Sequence, residues 1–166
     1  MYPQRAVEER RRMADVKEAI YREYAGARLE LIAGAARFVE TARARGLRLA
    51  VCTASTPENM ALAFTKHPID RWVDTVVSPA DGLRGKPHPD TFLEAARRLG
   101  GAAAECIVFE DAPLGVEGAR RAGMRAVALT TTLPSEAFAD YPNLITSAPD
   151  FAALDLNMLT RGPHHA

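Results

Sequence analysis

Hydrophobic and polar positions divide the chain at about residue 34. Before that point Met13, Val16, Ile20 and Tyr24 fall three, four and four apart, which predicts a helix with one apolar stripe. The stripe needs a surface to cover, and so short a segment cannot supply one itself. Arg10, Arg11 and Arg12 lie off the stripe and read as a solvated face. Beyond residue 34 the period alternates. Ala35, Phe38, Val39 and Ala42 line a helix face, Arg43 and Arg45 suit its negative end, and Gly46 can stop it. Leu47–Thr53 is nearly all apolar from Leu49, the pattern of a strand covered on both faces. A helix over Pro57–Lys66 and a strand over Val73–Ser78 follow. Phe92, Leu93, Ala96 and Leu99 mark a helix ended by Gly100-Gly101. Cys106–Phe109 reads as a third strand, and Pro113 and Gly123 frame another helix. Arg125–Leu129 is a fourth strand and Leu144-Ile145 a short fifth. Strands alternating with helices of about ten residues predict right-handed crossovers and a parallel sheet. Pro163-His164-His165-Ala166 reads as a frayed tail.

Composition narrows the partners. The 166 residues are 48% hydrophobic but only 7% aromatic, so one domain with a small appendage can bury a mostly aliphatic core. Lys plus Arg (21) equals Asp plus Glu (21), and zero net charge gives no reason to expect nucleic acid or an anionic membrane surface. No apolar run approaches the roughly 18 residues of a membrane span. Met1–Asp15 is too polar for a secretory signal. Cys52 and Cys106 each sit inside an apolar run and read as buried free thiols, as expected of a cytoplasmic protein.

In an open parallel sheet, ligands collect beyond the carboxyl ends of the strands. Thr53, Ala54, Ser55 and Thr56 follow the first predicted strand, Glu110 and Asp111 the third, and Thr130, Thr131 and Thr132 the fourth. Lys86 lies between Gly85 and Pro87 on a loop before the third. Hydroxyls and free N–H groups at a helix start bind phosphate oxygens. A lysine adds a compact positive charge. Adjacent carboxylates suit Mg²⁺, which takes one or two of them together with waters and substrate phosphate. Each residue also has a plainer reading: Thr53 and Ser55 as helix caps, Glu110 and Asp111 as partners of a helix dipole, Lys86 as a surface lysine, His88 as a loop residue. Lys86 is followed by proline and no GxGxxG occurs, so nucleotide-binding signatures are missing.

The order LAVCTAST, GKPHPDTF, IVFEDAPLGVEGARRAGM resembles the haloacid dehalogenase (HAD) superfamily, in its β-phosphoglucomutase and phosphoglycolate-phosphatase-like branch. The resemblance covers roughly residues 30 to 150. It implies an α/β fold, a doubly wound, mostly parallel, Rossmann-like core over residues 28–160, with residues 1–27 as the remnant of a helical cap and 161–166 as a tail. It implies an Mg²⁺-dependent phosphatase or phosphomutase acting on a small phosphorylated metabolite. Thr53, with the backbone of Ala54 and Ser55, would hold the transferring phosphoryl group; Lys86 would stabilise its charge; Glu110 and Asp111 would hold Mg²⁺. Relatives begin with a strand ending in DxDGT, which supplies the nucleophile and the acid–base. No two aspartates here are separated by a single residue. The resemblance therefore implies that the sequence starts inside the cap, after the nucleophile, and lacks the central strand between the first and third predicted ones. Those neighbours should then lose a ladder partner, pair with each other or pair with another chain. Activity should be negligible and Mg²⁺ binding weak. Relatives usually carry proline where this chain has Ala33, before Gly34. The alternatives are a non-catalytic relative that binds phosphate or a partner and, more remotely, a receiver-like phospho-acceptor domain. In receiver domains the acidic pair precedes the threonine and lysine, whereas here Thr53 and Lys86 precede Glu110-Asp111.

Overall fold

The computed structural model describes residues 7–160. The tail predicted at 161–166 lies outside them. Helix α1 (Val7–Arg28) comes first, followed by α2 (Ala35–Ala44), β1 (Ala50–Cys52), α3 (Pro57–Lys66), α4 (Ile69–Trp72) and β2 (Thr75–Val77). Then come α5 (Asp90–Leu99), β3 (Ile107–Glu110), α6 (Pro113–Arg121), β4 (Arg125–Leu129), β5 (Leu144–Ala148) and α7 (Leu156–Thr160). The fold is α/β, as the alternation predicts.

The strands form two parallel sheets, β1-β2 and β3-β4-β5. β1 and β3 are not hydrogen-bonded to each other. Among the described residues, β1 has its ladder partner in β2 and β3 has its own in β4. Alternation along the strands covers both faces. On β3, Val108 joins the core with Phe92 of α5 and Val116 and Ala119 of α6. Phe109 points the other way, with its ring 5.4 Å from that of Phe38 on α2 and 5.5 Å from that of Phe151. On β4, Ala126 and Ala128 face the α6 side, while Val127 and Leu129 are buried opposite. Two covered faces explain why RAVAL reads as a continuous apolar run. Phe138, fully buried, closes one end of the core.

The stripe on α1 needs a surface that its own segment cannot supply, and Val16, Ile20 and Tyr24 are 52%, 50% and 69% exposed. The helix docks on α3 through polar groups instead. The Asn59 amide donates to Glu18 (2.6 Å) and accepts from Arg22 (3.4 Å).

Gly34 shows how the α1–α2 linker is fixed. It has φ +77°, and a Cβ there would lie 2.7 Å from Cα of Ala152 and closer still to that residue's nitrogen. The Ala33 carbonyl accepts from the backbone N–H groups of Phe151 (3.0 Å) and Ala152 (3.2 Å). Left-handed backbone costs a non-glycine residue about 1–2 kcal/mol, and overpacking about 1–3 kcal/mol more. Gly34→Ala is therefore expected to destabilise the chain by about 2–5 kcal/mol. Urea unfolding checks this: the midpoint should fall while the slope stays unchanged.

Candidate active site

The unpaired edges of β1 and β3 border a slot of about 320 Å³, lined among others by Cys52, Lys86, Phe109, Glu110 and Asp111. Lys86 spans it. Its ammonium donates to the Cys52 carbonyl at the end of β1 (3.4 Å) and to the Glu110 carboxylate at the end of β3. The loop carrying Lys86 is braced at its base by Arg84, whose guanidinium grips both oxygens of Asp90 at 2.8 and 2.9 Å. The His88 N–H closes a turn onto the Gly85 carbonyl at 3.0 Å. The Lys86 ammonium also lies 5.3 Å from the centre of the Phe92 ring, a cation–π contact.

Glu110 is buried, and Gly115 makes room for it. A Cβ at Gly115 would lie 2.7 Å from Cγ of Glu110 and collide with its carboxylate. Gly115 occupies the first turn of α6, so the carboxylate packs against that turn. Burial pushes the Glu110 pKa up, and the Lys86 charge and hydrogen bond pull against that rise. Asp111, the next residue, meets different surroundings: its Oδ2 accepts the Thr132 hydroxyl at 2.7 Å.

Thr53 follows the Cys52 carbonyl that Lys86 touches. Its Oγ1 accepts the Ser55 N–H at 3.0 Å and its N–H donates to the Val77 carbonyl at 3.0 Å. Ala54 and Ser55 are exposed. Lys86, Glu110 and Asp111 thus line the slot together, while Thr53, Ala54 and Ser55 follow Cys52 in the chain and are not among its lining residues. Sequence reasoning named Thr132 as a tip hydroxyl without joining it to Asp111, and it missed Gly115. The signal for Gly115 was a glycine one turn after an acidic pair.

The donor chemistry of the cluster fits Mg²⁺. Glu110 is taken up by Lys86, and the Asp111 carboxylate keeps an oxygen for a hard cation, which takes one or two carboxylates together with waters and substrate phosphate. No group of three or more His, Cys, Asp or Glu suited to a metal occurs among the described residues. Cys52 does not compete: burial raises its thiol to about 11, against an ordinary 9.0, and the sulfur donates to the Thr91 carbonyl (3.7 Å).

Residues 3–123 match the family described as haloacid dehalogenase-like hydrolase. The chain belongs to that family. Protein CbbY of Rhodobacter capsulatus is 34% identical over 152 residues, covering 87% of this chain and 61% of CbbY. Fructose-1-phosphate phosphatase YqaB of Escherichia coli is 48% identical over 79 residues, 48% of this chain and 42% of that enzyme. The chain thus spans about 61% of CbbY's length and less of YqaB's. The solved structure of an HAD hydrolase from Entamoeba histolytica superposes with a TM-score of 0.87 over 95% of this chain and 72% of that one. At 22% identity that likeness is one of fold. No described helix is long and apolar enough to cross a membrane.

The raised Cys52 pKa gives a direct expectation. The thiolate is the reactive form, and a shift from 9.0 to about 11 leaves roughly 100-fold less of it near pH 8. Iodoacetamide should therefore alkylate Cys52 much more slowly than a free thiol, with the rate rising with pH up to about pH 11. Peptide mass spectrometry across pH 7–11 checks it, and fast labelling at pH 8 would contradict the burial described.

Proposed function

We infer that this chain carries the phosphate- and cation-handling part of an HAD-type phosphatase or phosphomutase for a small phosphorylated metabolite. The observation that carries the reading is the Lys86 ammonium held between the Cys52 carbonyl and the Glu110 carboxylate, with Asp111 beside it. A phosphoryl group beside Cys52 would meet the Thr53 hydroxyl and the exposed Ala54–Ser55 turn just before α3. Lys86 would supply positive charge to the phosphoryl oxygens from a fixed position, without reorganisation at the moment of reaction. Asp111 would hold Mg²⁺ directly, with Glu110 behind it keeping Lys86 in place. When bound, the ion neutralises phosphate charge. The sugar phosphate named for YqaB makes that substrate class the first to test.

The sequence offers no Asp-X-Asp, so these residues contain no match to the nucleophile and acid–base of the family. On that observation a second reading, a non-catalytic phosphate binder, stays in play for the chain acting alone. Turnover decides between them.

The chain alone is expected to hydrolyse p-nitrophenyl phosphate or β-glucose 1-phosphate with Mg²⁺ no faster than its Glu110→Ala/Asp111→Ala variant. A relative's DxDGT strand, fused or added in trans, should enter the slot between β1 and β3. There it would gain backbone hydrogen bonds on both sides and bury apolar surface at roughly 25 cal/mol per Å². Thermal stability and Mg²⁺-dependent phosphatase activity should rise together, and Lys86→Ala or Asp111→Ala should abolish the gain in activity. Activity of the chain alone well above the double variant, or a folded fusion that gains none, overturns the reading.

A further inference from the structure

We propose that Thr132 is a positioning residue that sets the orientation of the Asp111 carboxylate toward a divalent cation. β3 and β4 are parallel neighbours in register Glu110↔Ala128, so the chain leaves both strands at the same end of the sheet. Asp111 leaves β3 there, and Thr132 follows β4 after Thr130 and Thr131. The Thr130 N–H is used by β5, donating to the Ala148 carbonyl at 2.8 Å, which ties the start of this turn to the sheet. Two residues later the Thr132 hydroxyl reaches Oδ2 of Asp111 at 2.7 Å. It is the hydrogen-bond partner that this carboxylate has among the described residues.

The hydroxyl matters because the terminal torsion of an aspartate is broad and two-fold. A donor on Oδ2 selects one orientation of the carboxylate plane and leaves Oδ1 free for an ion. Mg²⁺ is strict about octahedral geometry, so a carboxylate that need not be ordered on binding should hold it better. Groups that orient metal ligands commonly contribute 10- to 100-fold in affinity. Thr132 is exposed and water competes for its hydroxyl, so a smaller effect of about 3- to 10-fold is expected. The inference rests on reading Asp111 as a cation ligand.

The test uses the 166-residue chain and Mn²⁺ as a paramagnetic stand-in for Mg²⁺, with free Mn²⁺ followed by electron paramagnetic resonance. Thr132→Val should weaken Mn²⁺ binding about 3- to 10-fold, Thr132→Ser should restore it to within about twofold, and Asp111→Asn should remove most of it. In the Asp111→Asn background, Thr132→Val should change nothing further. Thermal unfolding without metal is the control. A purely structural threonine would shift the unfolding midpoint equally with or without Asp111 and leave the Mn²⁺ affinity untouched. If Asp111→Asn lowers Mn²⁺ binding and Thr132→Val does not, the role of Thr132 is overturned while Asp111 stands. If Asp111→Asn has no effect, or the wild-type chain takes up no Mn²⁺, both fall.

Discussion

The contact on which the site depends is the Lys86–Glu110 ion pair, because it joins two sheets that share no backbone hydrogen bond. Lys86 is 22% exposed and Glu110 9%, so both charges are largely out of water. Desolvation on that scale costs several kcal/mol per ion, and attraction repays it only with good geometry. Here the ammonium has further partners in the Cys52 carbonyl and the Phe92 ring. Removing either charge would leave the other buried and unmatched, at a cost of about 3–5 kcal/mol in well-buried pairs and less where one partner is partly wet. A pair of this kind is a weak source of stability compared with an apolar filling, but it fixes position. In this chain it fixes a cation at the mouth of the slot.

Two other features belong with the slot. The facing edges of β1 and β3 leave backbone groups without a ladder, a state that sheet proteins normally cover or blunt. The stripe on α1 leaves Val16, Ile20 and Tyr24 half exposed or more. Elsewhere α5 and α6 pack tightly on one face, and Gly118 lets Phe92 approach to where a Cβ would sit only 2.9 Å from its ring. Single apolar side chains are exposed there too, Leu114 on α6 and Met158 on α7 among them.

Much of this was legible along the chain, and the misses have local causes. Arg125–Leu129 was readable to the residue because both faces of β4 are covered. The first strand was read from Leu47 but its ladder starts at Ala50, since Leu47 is 38% exposed and the Leu49 N–H goes to the Asp74 side chain (2.7 Å). The fifth strand runs on to Ala148 through Thr146 and Ser147, polar residues that hid it. α7 was missed because five residues with only Leu156 and Leu159 buried carry too little pattern. At the site, the residue types were legible and their division of labour was not. The third strand was read as ending at Phe109, yet it includes Glu110. That single residue puts Glu110 on the same face as Val108, against α6, and leaves Asp111 in the turn. Lys86 and Glu110 lie 24 positions apart, and no local pattern announces such a pairing.

The division between the two carboxylates also bears on the proposed cation site. Lys86 is matched by Glu110, so its charge is largely cancelled within the protein. Asp111 is bonded to a neutral hydroxyl rather than to a cationic side chain. The cluster Lys86, Glu110 and Asp111 therefore sums to one positive and two negative charges, a net of about −1, at the place where a phosphate dianion would have to come close. Like charges at that range oppose binding, and Lys86 alone cannot reverse the balance while Glu110 holds it. On the proposed function, a divalent cation on Asp111 would turn the local sum from about −1 to about +1 and would make the approach of a phosphate favourable. Glu110 is buried for position, and Asp111 is left to the solvent side for charge. On the proposed function, affinity for phosphate and affinity for the metal would be linked through one carboxylate.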